Sequence, residues 1–411
     1  MLPVRVGARV GLAAALGLTG CSALLGVNEI FFDANAVAGG GGGGDGSPEG
    51  STTDGPPGDG GADAFACMAD FQNDKKNCGR CGRDCFGGAC NGGKCDAVEL
   101  ASVPGAPLFH LVVSPQHAFV STSIGFTTEN GGIWRIPKGG GAAEAYVTLR
   151  YAQDMAVLGD KLYFVVNDAP ANGADTHGGF YSCPLVGASP CAPTLIAVAT
   201  NARGITLDQN RVFYGDALVG KGMMVYAPPA PPTVFRADFG FPYSYYVDGT
   251  SAFYSVTTGN ALRHAKVLEI FADGGVDEKY FYEGANATDA RLQGNASYLL
   301  FTAFDYQTQA GGVVRRIPRG GSAPCDYGGN GNKRPYGVYS DATHIYWTNQ
   351  GDGPKEPYMA GSLATCDLAG CCTTPDILWT GDGRPTAVTG DADAVYFTTK
   401  AKGALWKIAK P

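Results

Sequence analysis

Val338-Tyr339-Ser340-Asp341-Ala342-Thr343-His344-Ile345-Tyr346-Trp347-Thr348 sets the reading of this chain. An apolar position is followed three residues later by an aspartate, and that by a run of β-branched and aromatic residues. Asp at the head of a four-residue turn bonds its own backbone two residues on, so the stretch predicts strand, tight hairpin, strand. The same unit recurs with anchors at Ser114, Leu158, Asp208, Asp248, Gln293, Asp341 and Asp391, spaced 44, 50, 40, 45, 48 and 50 residues apart. Five residues after each anchor stands an aromatic: Phe119, Tyr163, Phe213, Phe253, Tyr298, Tyr346 and Tyr396. Aromatics are 11% of the chain, so seven in seven reflects a structural slot rather than composition.

Repeats of 40 to 50 residues, each carrying several short strands, are the signature of four-stranded propeller blades. The fold class expected is therefore all-β, a seven-bladed β-propeller over residues 97–411. The residues three before the anchors (Leu111, Met155, Ile205, Tyr245, Ala290, Val338, Val388) are apolar or small, as inner strands require. Third strands follow every hairpin; fourth strands are legible except after Pro318. The last unit stops after its third strand. An unpaired edge there invites aggregation, and the orphan strand Val98-Glu99-Leu100-Ala101-Ser102-Val103 is expected to complete it and close the ring.

Upstream the composition changes. Residues 1–20 carry Arg5 and Arg9, an apolar run from Val10 to Leu18, and the ending Leu18-Thr19-Gly20-Cys21. The run is too short to span a bilayer and reads as a signal peptide. The ending resembles the lipobox of bacterial lipoproteins, a resemblance that implies lipid on Cys21 and a membrane as partner. Ser22 suits outer-membrane sorting. Residues 33–64 have neither an aromatic residue nor Lys or Arg, and cannot bury enough apolar surface to order. Residues 21–64 are thus expected to be a lipidated tether whose Gly-rich part reaches about 30 Å.

Residues 65–96 hold Cys67, Cys78, Cys81, Cys85, Cys90 and Cys95. That density in an exported chain predicts a disulfide module, with a zinc site at Cys78-x-x-Cys81 as the alternative. The pattern resembles the Cys-rich repeats of the stigma-specific secreted protein family. Six further cysteines lie in the propeller. Cys183 is expected to pair with Cys191, and Cys325 with Cys371 or Cys372 while Cys366 takes the other. Ile345-Tyr346-Trp347-Thr348-Asn349, Gly132-Ile133-Trp134-Arg135-Ile136-Pro137 and Val314-Arg315-Arg316-Ile317-Pro318 resemble the Tyr-Trp-Thr-Asp propeller repeats of the low-density-lipoprotein-receptor type, with Asn349 where Asp is usual.

The formal charge is -8, or -10 without the first 20 residues, and six of the acidic groups lie in the stalk. Nothing basic enough to hold nucleic acid is present. No nucleophile elbow, phosphate loop or zinc-protease motif appears, so no cofactor and no catalytic residue is assigned. Two sets of residues are candidates for binding. Four residues before the anchors stand His110, Asp154 and Asp289, whose imidazole and carboxylates suit a divalent metal at the channel mouth. Arg203, Arg334 and Arg384 lie in loops that lead into inner strands and suit an anion, while Phe239, Phe241 and Tyr243 form an aromatic platform of the kind sugars or peptides use. The function expected is a monomeric, membrane-anchored binding protein for a protein or carbohydrate ligand. A metal-dependent propeller lyase or hydrolase and an envelope-assembly scaffold are the alternatives.

Overall fold

The computed structural model describes residues 70–411 except 104, 123–130, 168–177, 200–201, 217–221, 237–241, 249–250, 259–263, 272–278, 285–286, 306–311, 320–322 and 352–360. For residues 254–290 only the backbone is described. Cys21, the stalk and Cys67 lie outside the described residues.

The protein is a β-propeller. Among the described residues the strands form seven four-stranded antiparallel sheets and one two-stranded ribbon. Numbered from the N-terminus, sheets one to six span 110–147, 152–198, 203–236, 242–284, 287–327 and 335–381, each a run of four consecutive strands. Sheet seven holds Pro385–Gly390, Ala394–Thr399 and Ala404–Ala409, and its fourth strand is Val98–Ser102. Val98 is opposite Lys407 and Ser102 opposite Ala404. The C-terminal edge is therefore covered by a strand that precedes sheet one, and the two ends of the ring share one sheet. The first strand of each sheet packs on that of the next, and the seventh packs back on the first.

The hairpins follow from the anchor side chains. Asp341 Oδ1 accepts the N–H groups of Thr343 (2.9 Å) and His344 (2.8 Å), and Asp391 Oδ1 those of Asp393 (3.1 Å) and Ala394 (2.9 Å). In sheet five the residue that does this is Asn295, whose Oδ1 accepts from Ser297 (2.8 Å) and Tyr298 (3.1 Å). The turn lies two residues beyond the expected anchor Gln293, because a glutamine side chain is one methylene too long to close this local ring. The fifth-position residue there is Leu300, fully buried, and Tyr298 stands at the turn.

The fifth-position residues hold the ring together. Phe119 of sheet one packs with Met155 and Leu162 of sheet two, and Tyr163 of sheet two with Val212 and Tyr214 of sheet three. Phe213 meets Tyr245 and Val247, Phe253 meets Leu299, and Leu300 meets Ile345 and Trp347. Tyr346 meets Val388 and Phe397, and Tyr396 meets Leu111 and Ala118 of sheet one. Each thus crosses to the following sheet. Where the ring bears a hydroxyl, the anchor aspartate receives it: Tyr346 Oη donates to Asp341 Oδ2 (3.2 Å) and Tyr396 Oη to Asp391 Oδ2 (3.0 Å). Where it is phenylalanine, an arginine occupies the aspartate instead, Arg211 on Asp208 and Arg319 on Asp248.

Disulfides join Cys78 to Cys90, Cys85 to Cys95, Cys183 to Cys191, Cys325 to Cys371 and Cys366 to Cys372. Cys81 is also disulfide-bonded. With their sulfurs in covalent pairs, the module's described cysteines offer no thiolate to zinc. The module sits on the closing sheet: Arg83 Nη2 donates to Ala409 O (3.4 Å), and Lys407 Nζ lies 3.6 Å above the Phe86 ring. Such bonds persist in oxidising compartments, which places the folded chain outside the cytoplasm.

Phe119→Ala should cost about 3–5 kcal/mol in denaturant unfolding, the range for emptying a buried aromatic site. Tyr346→Phe keeps the ring and loses one hydrogen bond, so it should cost about 1 kcal/mol. If the two substitutions cost the same, the rings are not the source of cohesion.

Candidate functional site

All seven inner strands line one small cavity on the propeller axis, of about 160 Å³. Its polar groups come from different sheets: His110 from sheet one, Asp154 from two, Ser244 from four, Arg291 from five and Tyr336 from six. His110 Nδ1 is in short contact with Asp154 Oδ1, and because an ionised carboxylate only accepts, Nδ1 carries the proton. Asp154 Oδ2 accepts the backbone N–H of Gly204 (2.9 Å), which links sheets two and three. Arg291 Nη1 lies 3.5 Å from Asp154 Oδ1, and its Nη2 donates to Tyr336 Oη (3.1 Å). Burial would raise the Asp154 carboxyl, but His110, Arg291 and the Gly204 amide outweigh it and hold it at about 2. Asp154 is thus a fixed negative charge, met by His110 from sheet one, the Gly204 amide from sheet three and Arg291 from sheet five.

Of the expected metal ligands, His110 and Asp154 meet in the channel. The side chain of Asp289 lies outside what the structure describes, and the turn at Asn295 moves the sheet-five register by two, so Arg291 stands four residues before the true anchor. A guanidinium against Asp154 repels a divalent cation and satisfies the carboxylate that would have bound it.

The arginines lie at the mouth where chains enter the inner strands. Arg334 and Arg384 hold equivalent places in sheets six and seven, each before a proline and each with a left-handed backbone, φ 56° and 51°. Tyr151 of sheet two shares the place and the conformation, φ 60°. The carbonyls of Tyr151, Arg334 and Arg384 accept the N–H groups of Asn167 (3.1 Å), Gln350 (3.1 Å) and Lys400 (3.0 Å), the residues just past each second strand. One local device is repeated around the mouth, and it fixes what each sheet presents there. The Arg334 guanidinium lies 5.6 Å from the Phe304 ring, and Arg384 Nε donates to Gln350 Oε1 (3.1 Å). Arg203 opens the first strand of sheet three, opposite Gly215. Phe239 and Phe241 lie outside the described residues, as does the side chain of Tyr243. Tyr245 is buried against Phe213, in packing rather than on a platform.

Sequence reasoning passed over Arg291, Tyr336 and Lys400. Arg291 was hidden by the turn register, and the Asn295-x-Ser297 turn was the signal that would have shown it.

No known protein family matches the chain, and no curated protein does. Solved structures do. Virginiamycin B lyase from Staphylococcus aureus is 12% identical, with a TM-score of 0.54 over 77% of this chain and 99% of that one. The GH74 enzyme of Niastella koreensis is 12% identical at a TM-score of 0.55, over 75% of this chain and 53% of that one. The β-propeller domain of the Trilobed protease from Pyrococcus furiosus is 11% identical at a TM-score of 0.51, over 74% and 95%. At these identities the likeness is one of fold. The class is the β-propeller, a scaffold that carries many unrelated activities.

Asp154 makes a prediction about acid. Its folded value, about 2, lies below its ordinary 3.8, so its ionised form stabilises the fold above about pH 4 and that contribution disappears as pH falls to 2. The stability gap between wild type and Asp154→Asn, from urea unfolding, should therefore narrow by about 2 kcal/mol between pH 6 and pH 2. A gap that does not change with pH contradicts the assignment.

Proposed function

We propose that this chain is a lipid-anchored envelope protein in which a seven-bladed propeller recognises a carbohydrate or protein ligand at its channel mouth. The observation that carries the reading is the channel set itself. His110, Asp154, Arg291 and Tyr336 come from four sheets and meet in a cavity with room for about five waters at some 30 Å³ each. That is too little for a whole substrate but enough for one polar group projecting from a larger ligand at the mouth. A few fixed polar groups at the base of a concave site are how such sites set specificity. The disulfides agree with an envelope location, and the Leu18-Thr19-Gly20-Cys21 ending supports a lipid anchor, with Ser22 favouring the outer membrane.

Two experiments test this. Mass spectrometry of the membrane-extracted protein should find a diacylated or triacylated Cys21 as the first residue, and Cys21→Ala should release the protein from membranes; an unmodified, soluble wild type overturns the anchor. Glycan and peptide arrays probed with the detergent-solubilised full chain should give a ligand whose binding weakens tenfold or more in Arg291→Gln and Asp154→Asn. Equal binding by both variants, with thermal unfolding still cooperative, overturns the channel as the recognition site.

A further inference from the structure

A second site, separate from the channel set, lies at the seam where the ring closes. Residues 105–107 link the closing strand to sheet one, and they form one wall of a pocket of about 250 Å³. Across from them stand Arg384, Lys400 and Lys402. The backbone fixes the cationic wall: Lys400 N–H donates to Arg384 O (3.0 Å), and Ala401 N–H to Gly383 O (2.9 Å). Lys400 Nζ lies 4.7 Å from the centre of the Phe109 ring, so its ammonium is held over an aromatic face rather than extended into water. Among the described residues that line the pocket none is a carboxylate.

Among the described residues, the charged groups that act on Lys400 are Arg384 and Arg334, both positive, and Lys402 lines the same pocket. Burial, and then repulsion from Arg384 and Arg334, push the Lys400 ammonium down to about 8. A partly buried lysine beside other cations is held more firmly as an ammonium when an anion enters the pocket. Lys400 and Lys402 provide point charges for that anion, and Arg384, whose Nε is bonded to Gln350 Oε1, adds positive charge to the same wall.

We propose that the Arg384–Lys400–Lys402 pocket binds a phosphate monoester or inorganic phosphate, and that its occupant bridges the link 105–107 to sheet seven. Two sources share that chemistry, free phosphate and a phosphomonoester headgroup in a membrane, and both can be tested on the full chain.

Calorimetric titration with inorganic phosphate at pH 8 is the first arm; sedimentation with phosphatidic acid vesicles against phosphatidylcholine vesicles is the second, done with Cys21→Ala so that the lipid anchor plays no part. Saturable binding in the first arm identifies the free ion, and in the second alone the headgroup. In either case Lys400→Met and Lys402→Ala should weaken binding tenfold or more. Binding should also draw a proton from buffer near pH 8, seen as a heat that depends on the buffer's ionisation enthalpy, and Lys400→Met should abolish that dependence. Lys402 is exposed, so its variant folds whatever becomes of the others. No saturable binding in either arm, or binding unchanged in Lys402→Ala and Lys400→Met, overturns the proposal. Lys402 does not line the channel cavity, so loss of phosphate binding in Lys402→Ala with array binding unchanged separates this site from the channel set.

Discussion

One residue in each repeat, five past the hairpin anchor, reaches out of its own sheet and into the next. A four-stranded sheet has no means of burying such a side chain alone, so every sheet needs a follower, and the last needs the first. Phe119 against Met155 and Tyr396 against Leu111 are the same contact, made at the two ends of the propeller sequence. Aromatic rings bury roughly 150–250 Å² each, and burial yields about 25 cal/mol per Å². The interfaces they form therefore dominate the favourable terms, while the hydrogen-bonded ladders within a sheet specify its register. Circular closure follows from this demand. The strand Val98–Ser102 is how the chain meets it, by lending its beginning to its end.

The site inherits its properties from that arrangement. A ring of inner strands brings one position from each repeat to a common axis, so groups far apart in sequence come into contact. His110 and Asp154 are 44 residues apart, and Arg291 is a further 137 from Asp154. Asp154 stays ionised because three donors, from sheets one, three and five, converge on it, and the same three tie these sheets to sheet two across the axis. The groups that would recognise a ligand thus also brace the channel. At the mouth, left-handed residues before Pro335 and Pro385 turn Arg334 and Arg384 in a fixed direction, and the seam adds Lys400 beside them.

The repeat was legible because its signals are local: an Asx turn, a buried ring at fixed distance and a strand alternation. Where one signal was replaced, the reading slipped. Sheet five puts Leu300 in the aromatic slot and Tyr298 two residues earlier, so a search for aromatics settles on the wrong turn. The slip put Asp289 at the position four residues before the turn, where Arg291 stands and joins the ion-paired network around Asp154. Leu300 does the job of a ring because the slot demands volume and apolarity, which leucine supplies. Lys400 was illegible for a different reason: its environment is made by Phe109, Arg384 and Arg334, and only closure of the ring brings these together. The aromatic positions 239 and 241 lie outside the described residues, and Tyr245, expected as an inner-strand position, is buried with Phe213.

Hydrogen exchange followed by mass spectrometry on the full chain tests the central claim most directly. If the N-terminal strand closes the ring, amides of residues 98–102 exchange as slowly as those of Ala404–Ala409, and both are released together in one opening with the stability of the whole fold. If residues 98–102 exchange at the rate of unprotected amides while residues 404–409 remain protected, the ring is not closed by that strand and the account fails.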